Sequence, residues 1–118
     1  MIQSYKDIDA YAKSYKLAVN LYKITRDFPK EELFGLTSQI KRAATSIPLC
    51  IAEGYGKRKH VSEFKRFLLM AIGSCDEIKV LLNLSRDLGF MPIKLSEEYE
   101  KAYEEIGKML NGLYTKWQ

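Results

Sequence analysis

Few side chains in this 118-residue sequence could carry out covalent or acid–base chemistry. His60 is the only histidine, and it lies in a run of lysine and arginine where no partner for nucleophilic catalysis is expected. Cys50 and Cys75 are far apart, fit no metal-ligand spacing, and fall at apolar helix positions where free thiols commonly pack. We therefore expect no catalytic residue, no metal site and no cofactor.

Two other patterns resemble reactive sites but lack essential members. Glutamates are frequent between residues 97 and 105, yet they follow the solvent side of a predicted helix, and the Glu-x-x-His pattern of bundle di-metal sites is absent. The run from Gly54 to Lys57 has no Ser or Thr after the lysine and no strand before it, so it is not a phosphate loop. The sequence thus predicts a protein without enzymatic activity.

The chemistry that the sequence does favour is the binding of polyanions. The net charge is +4, and residues 36–66 hold seven basic and only two acidic side chains. A local excess of this kind favours RNA or DNA as a partner, and the alternative is a basic surface that is only solvated. The candidate nucleic-acid-binding residues are Lys41, Arg42, Lys57, Arg58, Lys59, His60, Lys65 and Arg66.

The elements that must position these residues are helices. Apolar residues recur at steps of three and four in four successive segments, and strict alternation is absent. We expect helices at about 5–27, 36–57 and 62–88, and a fourth that begins near residue 96 with Ser96 as its N-cap. The predicted core faces are Ile8, Ala12, Tyr15, Val19 and Tyr22; Leu36, Ile40, Ala44, Ile47, Ile51 and Tyr55; Phe64, Leu68, Ala71, Cys75, Ile78 and Leu82; and Tyr99, Tyr103, Ile106, Leu110, Leu113 and Trp117.

Short connections between these helices predict one architecture. Pro29 ends the first helix, while Gly89 in a left-handed conformation, with Phe90 folded back toward Leu84 or Ser85, ends the third. We expect an all-α, up-down-up-down antiparallel four-helix bundle that forms a single domain over residues 1–118. The N-terminus lacks the apolar segment of a secretion signal and no apolar run is long enough to span a membrane, so we expect a cytoplasmic protein with no membrane partner.

Pro48 falls inside the second predicted helix. It removes the hydrogen bond to the carbonyl of Ala44, which typically costs about 3 kcal/mol and bends the axis. The apolar pattern keeps its phase across Pro48, so we expect one kinked helix, with the hydroxyl of Thr45 or Ser46 bonded to the freed carbonyl. Gly54 near its end is either a C-cap residue or a point of close approach by another backbone.

Several helices carry more apolar surface than a four-helix core can cover. A second apolar face on several helices suggests burial against another copy of the chain. A competing hypothesis is a scaffold that binds a partner protein, with Leu49, Leu69 and Ile72 as candidate contacts unless they already lie between copies. The candidate oligomer-interface residues are Leu17, Leu21, Ile24, Leu49, Leu69, Ile72 and Val80.

The segment ELFGLTSQIKRAATSIPLCIAEGYGKR, residues 32–58, resembles a family signature. It is similar to the four-helix bundle proteins also called 23S rRNA intervening-sequence proteins, whose members are close to E-x-x-G-L-x-x-Q-x-R-R-A-x-x-S-I-P-x-N-I-A-E-G. Two positions differ, since Lys41 replaces a frequent arginine and Cys50 replaces the usual asparagine. The matching residues are Glu32, Gly35, Leu36, Gln39, Arg42, Ala43, Ser46, Ile47, Pro48, Ile51, Ala52, Glu53 and Gly54.

The resemblance carries implications beyond the residues themselves. It implies an up-down bundle assembled into a ring, a homopentamer, with no known enzymatic activity. The family is also similar to the accessory variability determinant of diversity-generating retroelements, a basic pentameric barrel that engages nucleic acid and a reverse transcriptase. That similarity is at the level of the fold, and it implies nucleic acid or a partner protein as candidate ligands.

Overall fold

The computed structural model describes all residues from 1 to 118 and consists of helices and their connections. The four predicted helices are confirmed, with ends that differ from the sequence-based prediction by a few residues. The bounds are α1 Asp9–Ile24, α2 Leu36–Gly56, α3 Val61–Asp87 and α4 Ile93–Lys116, with 3₁₀ helices at Tyr5–Asp7, Thr25–Asp27 and Lys30–Glu32.

Each helix packs on the next, and α4 also contacts α1. Since the connections are short, successive helices run in opposite directions, and the predicted up-down-up-down bundle is confirmed. The bundle measures 44 × 24 × 19 Å. No helix of the bundle is both long enough and apolar enough to cross a membrane.

The predicted core faces of α2 and α3 are confirmed residue by residue. All six predicted side chains on each helix are buried, and most of them are completely inaccessible to solvent. On α4 the predicted face is buried from Tyr99 to Leu110, while Leu113 and Trp117 are half-buried against the core. The heptad spacing therefore locates three of the four core-facing surfaces.

The predicted core face of α1 is wrong except at Ile8, which is buried at the start of the helix, whereas Ala12 is exposed. Tyr15 is 55% exposed, and Val19 and Tyr22 also face solvent, whereas Ala10 and Ala18 are buried. Ser14 is fully buried as well, and its hydroxyl donates to the carbonyl of Tyr11 at 3.1 Å. The prediction followed a face with Tyr15, Val19 and Tyr22, but the core contact of α1 is made by the small residues Ala10, Ser14 and Ala18 together with Leu21.

Helix α1 is thus rotated about its axis relative to the prediction, and this corrects part of the predicted oligomer interface. Leu21 is completely buried in the chain's own core, so its assignment to a contact between copies is wrong. Leu17 and Ile24 are half-buried and pack against the same core. The surplus apolar surface on α1 is therefore the face with Tyr15, Val19 and Tyr22.

The end of α3 confirms the predicted glycine cap. Gly89 has φ +80°. The N–H of Phe90 donates to the carbonyl oxygen of Ser85 at 2.9 Å, and the N–H of Gly89 donates to the carbonyl oxygen of Arg86 at 3.0 Å. These two hydrogen bonds form a Schellman motif. The Phe90 ring packs against Phe28, with ring centroids 5.7 Å apart, and so ties this corner to the end of α1.

The predicted N-cap of α4 is wrong. The helix begins at Ile93, and the residue at its N-cap is Pro92, with φ −59° and ψ 145° and no side-chain capping hydrogen bond. Ser96 is buried inside α4, and its hydroxyl donates to the carbonyl oxygen of Leu82 on α3 at 3.1 Å. The serine therefore joins two helices and does not cap one.

Helix α2 runs without interruption through Pro48, as predicted. The Thr45 hydroxyl donates to the carbonyl oxygens of Lys41 and Arg42, at 2.9 and 3.2 Å, so its predicted bond to the carbonyl of Ala44 is wrong. Ser46 instead pairs with Ser74 of α3, with 2.9 Å between the hydroxyl oxygens.

Gly54 marks a close approach of α2 to α3. A Cβ atom added at Gly54 would lie 2.7 Å from Cβ of Phe67 and 3.0 Å from Cδ1 of Phe64. Of the two roles that the sequence left open, the close approach is the one observed, and its partners are side chains on α3.

Candidate nucleic-acid interface

The connection between α2 and α3 carries a run of positive charge. We call Lys57, Arg58, Lys59 and His60 the basic turn; all four are exposed. The N–H groups of Lys57, Arg58 and His60 donate to the carbonyls of Gly54, Tyr55 and Lys57, at 2.9, 3.1 and 2.9 Å. These hydrogen bonds fix the backbone, so the basic side chains project from an ordered turn.

No carboxylate lies within ion-pair distance of the three cations of the basic turn. The Arg58 guanidinium stacks on Tyr55, 4.2 Å from the ring centroid, and its Nη1 donates to the Tyr55 carbonyl at 3.0 Å. The Lys57 ammonium lies 5.9 Å from the ring centroid of Phe67. The aromatic rings hold two of the cations in place without neutralising them, because a ring carries no net charge.

Two further predicted residues lie one to two turns along α3. Nε and Nη2 of Arg66 donate to the two carboxylate oxygens of Glu63, at 3.0 and 3.2 Å, and this pairing holds the pKa of the Glu63 carboxyl below its usual value. Lys65 lies over Tyr114 of α4, with its ammonium 5.1 Å from the ring centroid. Lys65 therefore adds to the unpaired charge of this end of the bundle, whereas the charge of Arg66 is already matched.

The structure does not bring Lys41 and Arg42 to the basic turn. They precede Lys57 by fifteen or more residues on the same helix, which places them roughly 22 Å away along its axis. The ammonium of Lys41 lies 4.9 Å from the ring centroid of Tyr22 on α1. The eight predicted residues therefore form two separate groups, and only the group from Lys57 to Arg66 occupies one end of the molecule.

The sequence did not indicate the aromatic cluster beneath the basic turn. The Trp117 ring lies edge-on to Phe64 and Tyr55, with centroids 4.7 and 6.3 Å away, so the end of α4 supports the start of α3. The predicted antiparallel topology could have indicated this cluster, because it places the end of α4 beside the end of α2. Tyr55 is buried, as its predicted place in the core requires.

The remaining reactive groups lie apart from one another. Burial raises the pKa of the Cys75 thiol to about 12, so this thiol stays protonated at neutral pH. Cys50 is buried on α2, and its sulfur lies 3.8 Å from the hydroxyl of Ser46. No group of three or more His, Cys, Asp or Glu side chains has an arrangement that could hold a metal ion.

A second surface lies on the side of the bundle, between α1 and α2. We call it the α1/α2 groove; it has a volume of about 570 Å³. Pro48 and Leu49 form its α2 wall, and Leu49, a predicted interface residue, is 57% exposed. The lining residues are Tyr5, Tyr11, Tyr15, Ala18, Val19, Tyr22, Lys23, Arg26, Thr45, Pro48, Leu49 and Ala52.

Three of the seven predicted interface residues are on α3. Leu69 and Val80 face solvent, whereas Ile72 is half-buried and packs against the core. The seven predicted residues therefore fall into three groups: the bundle's own core and its margin, the α1/α2 groove and the outer face of α3.

Comparison with known proteins agrees with this fold. The family model of the 23S rRNA-intervening sequence proteins matches residues 6–112, and no curated protein matches the chain. A solved structure from Bacteroides thetaiotaomicron, described as a protein of unknown function from the S23 ribosomal protein family, is 23% identical. Its TM-score is 0.82, over 91% of this chain and 96% of that one, which shows a shared fold. Because the family match extends over all four helices, this chain belongs to the family of 23S rRNA-intervening sequence proteins.

Proposed function

We propose that this protein is a non-enzymatic, self-associating bundle that binds RNA or DNA through the basic turn. The observation that carries the proposal is the set of unpaired cations at one end of the molecule. Lys57, Arg58 and Lys59 have no carboxylate partner, and Lys65 lies just beyond them on α3. Phosphate groups are the anions that such a set of cations binds most readily.

The number of unpaired cations limits the affinity of one copy. Three or four phosphate contacts release few counterions, so a single bundle binds weakly at physiological salt. Several copies in one particle would engage the same strand together, and linked contacts of this kind raise affinity by factors of about 10² to 10⁴. Nucleic-acid binding by this surface therefore depends on self-association.

The chemistry of the site favours binding that does not depend on base sequence. Tyr55 lies beneath Arg58 and is buried, so its ring face is not open to a base. Trp117 packs edge-on against Phe64 and Tyr55. The exposed groups of the basic turn are cationic side chains, which position a phosphate backbone without reading its bases.

The apolar side chains on the bundle's surface support self-association. Tyr15, Val19 and Tyr22 on α1 and Leu49 on α2 are all exposed in the α1/α2 groove, and Leu69 and Val80 are exposed on α3. An exposed apolar groove of this kind is a surface that another protein chain can cover. A ring of five copies is the assembly that the family resemblance implies. A partner protein that covers the groove is the alternative.

The direct test is a filter-binding titration of single-stranded RNA and duplex DNA at about 50 and about 200 mM salt. We expect the affinity to fall at least about tenfold at the higher salt concentration, since the contacts are with phosphates. Replacing Lys57, Arg58 and Lys59 by alanine should lower the affinity by at least about tenfold at the lower salt concentration.

The matched control replaces Lys94, Lys101 and Lys108 by alanine. These three exposed lysines lie on α4, and their replacement removes the same net charge. The control should bind as the unmodified protein does. Equal losses in the two triple variants would show that net charge alone drives binding, and an affinity that does not change with salt would exclude the phosphate contacts.

A further inference from the structure

We propose that copies of this chain associate side by side, with the outer face of α3 of one copy seated in the α1/α2 groove of the next. The inference rests on the self-association proposed above and adds the two surfaces that meet. They are different surfaces of one chain, so the contact is heterologous, and its repetition gives a ring where the rotation between neighbours closes.

The α1/α2 groove is apolar and positively charged at its margin. Tyrosine, valine, leucine and proline side chains form most of its wall. Lys23 and Arg26 are the only charged residues among those that line it, and no carboxylate does. The ammonium of Lys41, which stacks on Tyr22, adds a third positive charge beside the groove. An occupant that fits this groove is apolar along its middle and acidic at its edge.

The outer face of α3 has the complementary chemistry. Leu69, Gly73, Val80 and Leu84 recur at heptad-like steps on the side away from the core, and we call them the α3 outer stripe. Leu69 and Val80 are 52% and 59% exposed. Gly73 is exposed within the helix, where glycine weakens helical structure, and a Cβ added there would meet nothing within 4 Å. A glycine at this position allows another chain to approach closely.

Carboxylates border the α3 outer stripe. Asp76, Glu77 and Asp87 are all exposed on this side of α3. Asp76 pairs with Lys79 at 3.3 Å, but the aspartate side chain is 72% exposed and the lysine only 27% exposed, so the acidic member lies outermost. Asp87 and Arg86 have the same arrangement. Glu77 has no ion-pair partner, and the two paired aspartates lie outside their cations, so this side of α3 carries one net negative charge with its carboxylates outermost.

The two surfaces also lie at matching heights along the bundle. Ser46 and Ser74 lie side by side, and Lys41, five residues before Ser46 on α2, covers Tyr22. Because α2 and α3 are antiparallel, Tyr22 is level with a point about five residues beyond Ser74, close to Val80. A neighbour displaced sideways, with its axis parallel, brings apolar residues together and places the cations of the groove level with the acidic part of α3.

The test uses one disabling substitution in each surface. Leu49→Glu places a charge in the groove and leaves the α3 outer stripe intact. Val80→Glu places a charge in the stripe and leaves the groove intact. Each variant alone is expected to remain at the monomer mass of 13.7 kDa in light scattering after size exclusion. An equimolar mixture should form a one-to-one complex of twice that mass, because one intact groove and one intact stripe remain.

Leu33→Glu is the control, since Leu33 is an equally exposed leucine in the connection between α1 and α2. It should assemble as the unmodified protein does, and circular dichroism should show all three variants to be folded. A mixture that stays monomeric, or either groove or stripe variant assembling alone, would overturn the pairing while leaving self-association intact. A monomeric unmodified protein would overturn both, and would point to a different occupant of the groove.

Discussion

The hydroxyl of Tyr103 is a polar group buried in the hydrophobic core. Tyr103 is completely buried, and its hydroxyl has no hydrogen-bond partner among the atoms of the chain. Burial raises the pKa of this phenol above its usual value of 10.0, and the nearby Cys75 and Tyr99 act in the same direction. An unpaired buried hydroxyl lowers the stability of the folded state.

We predict that Tyr103→Phe increases the free energy of unfolding by about 1 kcal/mol at neutral pH, since the ring stays and the unpaired hydroxyl goes. Urea titration followed by circular dichroism measures the change. Tyr114→Phe, at a half-buried side chain, is the control and should change stability by less than about 0.5 kcal/mol. A clear loss of stability in Tyr103→Phe would show that its hydroxyl has a partner in solution.

The same variant has a defined alkaline behaviour. Above the ordinary tyrosine pKa of 10.0, the unfolded chain loses the Tyr103 proton while the folded chain keeps it, so the free energy of unfolding falls as pH rises. Tyr103→Phe lacks this contribution, and its stability should therefore fall less steeply above that pH.

At the residue scale the sequence reveals charge and its pairing within one helix, but not the contacts that charged residues make between helices. The exposure of Lys57 to Lys59 follows from their place in a turn, and the pairing of Arg66 with Glu63 follows from their spacing on one helix. The stacking of Lys41 on Tyr22 joins two helices. Predicting this stacking requires the orientation of α1 about its own axis, and the apolar pattern predicted that orientation incorrectly.

At the scale of the helices, α2 and α3 pack closely at Gly54, where an added Cβ would lie nearer to neighbouring atoms than at any other glycine. We predict that Gly54→Ala lowers the free energy of unfolding by about 1 to 3 kcal/mol, because the added methyl overlaps Phe67 and Phe64 and forces the helices apart. This loss outweighs the better helix propensity of alanine. Denaturant unfolding provides the measurement.

Gly107→Ala is the matched control for that prediction. Gly107 lies inside α4, and a Cβ added there would meet nothing within 4 Å. The substitution should therefore raise stability by about 0.5 to 1 kcal/mol, which is the usual gain of alanine over glycine in a helix. Similar effects at both positions would show that α2 and α3 tolerate a larger separation.

The elements differ in how well the sequence predicted them. The core faces of α2 and α3 are lined mainly by large apolar residues, so the pattern and the packing agree. On α1 three of the four buried residues are the small side chains Ala10, Ser14 and Ala18, beside Leu21, and the pattern of large residues does not reveal them. Ser96 has the residue type and charged neighbours of an N-cap, but its hydroxyl bonds across to α3. Tertiary packing decided both cases.

The whole molecule has three surfaces with roles in the proposed function, one for nucleic acid and two for self-association. The basic turn lies at one end of the bundle, and the α1/α2 groove and the α3 outer stripe lie along its sides. An assembly through the sides therefore leaves the basic ends free and directs them toward the same side of a ring. The sequence predicted surplus apolar residues, but only the fold shows that they divide between two different surfaces.

The measurement that tests this account most directly is the mass of the unmodified protein in solution. Light scattering after size exclusion should give a multiple of 13.7 kDa at micromolar concentration, about five copies if the family resemblance holds. The exposed tyrosines and leucines would then be covered by neighbouring copies. A mass of 13.7 kDa across that concentration range would contradict the account, because those side chains would face water in a stable monomer.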